Sequence, residues 1–164
     1  MEQAFARVWG DEDTHKTPLT RRMLRSVFIA LAETGHTLAD AAHLLDYEAR
    51  GFRQELIDAI AHPQAKQDLE HVNRLSKDRN GLAEFNATVL GPTNRVVEFL
   101  ACEAMRLMFS TTRAKDDRTI DILDIINRGH ILLVDLEHGT RVDEAATDLL
   151  GKIILRYFFT LLSG

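Results

Sequence analysis

Gly151-Lys152 is the pair that would sit at the end of a phosphate-binding loop, where backbone N–H groups and an ammonium cradle the phosphates. The surrounding residues do not complete that loop: position 146 is Ala where the motif needs Gly, and Ile153 stands where it needs Ser or Thr. Seven histidines (His15, His36, His43, His62, His71, His130 and His138) are too scattered to place two on one turn of helix around a metal. Cys102 is the only cysteine and reads as a small packed hydrophobe. No G-x-S-x-G occurs. Carboxylate pairs such as Asp116-Asp117 and Asp143-Glu144 read as solvated or helix-start charges. No catalytic, cofactor-binding or metal-binding residue is assigned.

Weaker candidates remain. Arg21, Arg22 and Arg25 cluster on one predicted helix and could contact DNA phosphate by charge-assisted bonds; the competing reading is a solvated face. Arg141 could reach a neighbouring subunit, and Asp135 interrupts an apolar run at the place where α/β folds gather chemistry. Asp135 and Arg141 are therefore the candidate inter-subunit contacts.

The 164 residues fit one domain, or one domain and part of another. Hydrophobic residues make up 45% and charged ones 27%, the composition of a folded chain. The formal charge of −5 counts against a dedicated nucleic-acid binder, and the single cysteine excludes an internal disulfide framework. The N-terminus lacks a basic head followed by an apolar run, and the apolar stretch from Ile153 to Leu162 is about half of what a bilayer requires. A cytoplasmic chain without a membrane segment is expected.

The elements that position these residues are mainly helices. Thr17 and Pro18 open a helix whose Leu19, Met23, Leu24, Val27, Phe28 and Leu31 face inward, and Gly35 ends it. Thr37 and Asp40 form a capping box for a short helix through Leu45. A helix from Tyr47 to Ala61 stops before Pro63. The helix from Gln64 to Leu75 reads as polar and exposed, and Lys77 to Gly81 as a charged turn. Leu82 to Leu90 should end at Gly91-Pro92, with Pro92 opening the longest amphipathic run, to Ser110.

Beyond a polar linker from Thr111 to Arg118 the pattern changes. Ile120 to Asn127 is a short helix or turn closed by Gly129. Ile131 to Leu136 is a continuous apolar run between glycines and predicts a strand buried on both faces. Thr140 and Asp143 would open a helix that turns apolar nearly all round from Ile153 to Leu162, predicting burial on most sides. The expected fold is mainly α: a multi-helix bundle with one short β-strand and a long helix after it, a partial RecA-like α/β element at the C-terminus. One strand alone leaves backbone groups without partners, so another chain, or further chain outside this one, should complete the sheet.

The blocks "LTRRMLRSVFIALAETGHTLADAAHLL", "GFRQELIDAI" and "RVVEFLACEAMRLMFS", followed by "TIDILDIINRGHILLVDLEHG" and "AATDLLGKIILRYFF", resemble the HerA/FtsK-like DNA-translocating ATPases. The branch is that of the conjugative coupling proteins of type IV secretion. The resemblance spans Asp13 to Leu162. It implies an all-α insertion over residues 1–113 and a βα segment of a RecA-like motor over 114–164. Neither a Walker A loop nor a Walker B strand is present. ATP and Mg are thus implied for a full-length parent only, and this chain should be an excised or natural fragment, inactive by itself. Its partners would then be the rest of a motor chain or further copies, DNA, and secretion-system or relaxosome proteins. The alternative is a stand-alone helical adaptor that self-associates through its C-terminal strand and helix.

Overall fold

A computed structural model describes residues 18–110, 120–135 and 144–162. The first helix, α1 (Pro18–Glu33), buries Met23, Leu24, Val27, Ala30 and Leu31 at helical spacing. Leu19, expected inward, is exposed. Gly35 ends α1 as predicted: its φ of 71° is left-handed, and the His36 N–H returns to the Leu31 carbonyl at 2.9 Å. The capping role of Thr17 lies outside the described residues.

Thr37 and Asp40 meet as expected. The Asp40 carboxylate accepts from the Thr37 backbone N–H at 2.9 Å and from its hydroxyl at 3.0 Å. A 3₁₀ turn (Leu38–Asp40) and α2 (Ala41–Leu44) follow. α3 (Arg50–Ala59) buries Leu56 and Ile57, and the chain leaves the helix at Ile60, ahead of Pro63. Glu33 then reaches back from the end of α1. Its carboxylate accepts from the N–H of Ala61 at 2.7 Å and of His62 at 3.2 Å. His62 Nδ1 accepts from the Ala65 N–H at 3.3 Å, and Pro63 opens the helix α4 (Pro63–Lys77).

The polar α4 is not exposed, contrary to expectation. Ala65, Leu69, Val72 and Leu75 are buried among α1, α3 and α5. Their stripe is narrow and its polar neighbours are numerous, so mean polarity hid the face that spacing alone marks.

The next helix, α5 (Leu82–Leu100), runs straight through Gly91-Pro92, where a stop was expected. Pro92 has no N–H for the Thr88 carbonyl, a defect that ordinarily breaks a helix. Here the ring is buried in the bundle, and Gly91 lets α1 approach so closely that a Cβ would lie 2.5 Å from the Thr20 hydroxyl. Packing on α1 therefore outweighs the lost bond. The break falls instead at Ala101-Cys102, where Cys102 is extended, and α6 (Glu103–Phe109) begins.

Gly81, in the turn between α4 and α5, permits another close approach: a Cβ there would lie 2.2 Å from the Leu75 carbonyl oxygen. Since that oxygen is backbone, Gly81→Ala should lower stability by about 1–3 kcal/mol, read as a drop in the urea midpoint at unchanged m-value. An unchanged midpoint would show that the turn is free to open.

The C-terminal part corrects the expected fold class. Asp121 caps α7 (Ile122–Asn127) by accepting from the Asp124 N–H at 3.1 Å, and Gly129, at φ 66°, closes it. Residues 131–135 then form neither helix nor strand, and no strand occurs among the described residues. The predicted strand and the RecA-like element it implied are not seen. A short apolar run marks low polarity but does not specify a ladder, and no second strand is offered to pair with it.

The last helix, α8 (Glu144–Leu162), meets the bundle through Leu150 and Ile153, which pack near Phe99 and Met105. Burial on most sides is not found. Leu155, Tyr157, Phe159 and Leu162 are exposed. The linker at 111–118, with the boundary between 113 and 114, lies outside the described residues, as do Leu136, Thr140, Arg141 and Asp143.

Candidate interaction surface

The three arginines of α1 do not act as one phosphate-binding set. Arg22 points across to α4, where its Nε donates to both oxygens of the Asp68 carboxylate at 3.1 Å. Arg21 and Arg25 are exposed on α1. Asp135 is exposed beyond α7, and Arg141 lies outside the described residues. Lys152 pairs with Asp148 one turn earlier on α8, as an ordinary helix-surface ion pair would.

Asp68 itself is buried. Besides Arg22 it accepts from the Ser26 hydroxyl at 2.7 Å and from Gln64 Nε2 at 2.9 Å. Burial pushes its pKa up, but the hydrogen bonds from Arg22, Ser26 and Gln64, together with the Arg22 charge, outweigh that and hold it below the usual carboxylate value.

Arg53 is the most completely buried charge, with no exposed surface. One guanidinium nitrogen donates to the carbonyls of Leu44 at 2.8 Å and Asp46 at 2.9 Å, closing the end of α2. The others donate to Asn73 Oδ1 at 3.3 Å and the Ser76 hydroxyl at 3.1 Å, both on α4. The guanidinium also lies 5.5 Å from the centre of the Phe85 ring. Burial lowers its pKa, with Asp46 opposing that shift and Arg50 adding to it. Sequence reasoning passed over Arg53, although it stands three and four residues before the inward Leu56 and Ile57 and so shares their face. Both buried polar groups tie helices together inside the bundle.

Three of the described histidines pack on or bond to neighbours in the bundle. His36 meets the Phe52 ring edge-on and His43 stacks on it, with centroids at 5.2 and 4.9 Å. His71 lies 3.0 Å from Arg74. Cys102 is half-buried at the α5–α6 bend, against the cluster of Phe99 and Met105. Among the described residues, no group of His, Cys, Asp and Glu comes together in a way that could hold a metal ion. No helix among them is long and apolar enough to cross a membrane.

No family model, curated protein or solved structure matches the chain. What the molecule offers to a partner must be read from its own surface.

The C-terminal part carries large apolar side chains that remain exposed. Ile131 is 87% exposed and Leu133 89%. On α8, Leu155, Phe159 and Leu162 recur at intervals of four and three residues, which places them in one stripe. That stripe faces away from Leu150, which packs on the bundle. With Tyr157 and Val134, these side chains expose on the order of 800 Å². Scattered single apolar residues are normal on a protein surface, but a helical stripe of them, in a chain that also exposes an uncharged run of four, is not.

Proposed function

We propose that the chain is a helical interaction module that self-associates through the apolar surface of its C-terminal part, α8 with residues 131–134. The stripe Leu155, Phe159 and Leu162 is the observation that carries this reading. A second copy is the occupant that fits. Ile131 to Val134 carry no charge, so two copies meet there without repulsion. The bundle carries this surface through Leu150 and Ile153 of α8, which pack near Phe99 and Met105. The DNA-motor reading lacks the RecA-like element on which it leaned, and Asp68 occupies one of its three candidate phosphate contacts.

Light scattering after gel filtration tests the proposal. The wild-type chain should run as a multiple of 18.6 kDa, and Phe159→Asp and Leu133→Asp should each lower that mass. Because both side chains are exposed, neither substitution should shift the melting temperature of the separated chain by more than about 2 °C. A wild-type monomer at high micromolar concentration would refute self-association. A large stability loss for Leu133→Asp would show that this residue packs inside its own chain.

A further inference from the structure

We draw no further inference here: the strongest candidate, the side-chain cluster at the N-terminus of α3 where the Arg50 guanidinium lies 5.1 Å from the centre of the Tyr47 ring, carries nothing, because Arg50 is only part-buried and no second feature among the described residues at that helix end points to a ligand.

Discussion

Arg53→Met is expected to cost about 3–5 kcal/mol, a large part of the stability of a domain this size. The methionine can fill much of the volume beside Phe85, but it donates nothing. The carbonyls of Leu44 and Asp46, Asn73 Oδ1 and the Ser76 hydroxyl all lose a donor in a region that water does not enter freely. Ser76 keeps its bond to the Asn73 carbonyl at 2.8 Å, and Asn73 keeps its own donation to Gln54 at 2.9 Å, so part of the network survives. Of the two carbonyls at the end of α2, that of Asp46 keeps the Ala49 N–H at 3.2 Å, so the loss falls most heavily on the Leu44 carbonyl. Arg53→Lys separates charge from geometry. One ammonium cannot span α2 and α4 at once, so the lysine variant should recover less than half of the loss. Chemical denaturation of the three proteins measures this directly. A methionine variant within 1 kcal/mol of the wild type would mean that the carbonyls find other donors.

Asp68→Ala is expected to cost about 2–3 kcal/mol, and to change how stability depends on acid. Loss of the carboxylate leaves the buried Ser26 hydroxyl without its acceptor and cuts the bond between α1 and α4. The contribution of Arg22 is discounted, because its side chain is more than half exposed and regains water. The pH effect has a definite sign. The folded-state pKa of Asp68 lies below its unfolded value, so the stabilisation is fully present above about pH 4 and is lost as the pH falls through the folded-state pKa. The wild type should therefore lose stability on acidification below about pH 4 more steeply than Asp68→Asn, which has no proton to take up. Thermal melts of both proteins from pH 6 down to pH 2 would show it. Parallel acid limbs would mean that Asp68 is not the group responsible.

The bundle was largely legible from the chain because local chemistry and tertiary packing agree there. Gly35 is left-handed where a helix had to end, Asp40 closes on Thr37, and Leu56, Ile57 and Ile60 turn inward. The failures share a cause. Pro92 reads as a start because a proline without its hydrogen bond usually ends the preceding helix, yet burial against α1 carries α5 past it. Ile131 to Leu136 reads as a strand because a short apolar run implies burial, yet its described part, 131–135, forms none, since a strand exists only with a second strand beside it. The interaction surface was half legible. The last helix was seen to be too apolar for water, but within one chain its outer stripe stays exposed.

Neighbouring residues are enough to place most helices and the apolar side of each, since capping and a 3.6-residue period are local. Which apolar faces the chain covers for itself emerges from the packing of the helices. That packing also decides that Arg22 belongs to Asp68, and that Arg53 holds α2 against α4. Such pairings join residues far apart in the chain, and their free energy depends on distance and exclusion of water, which no local pattern encodes.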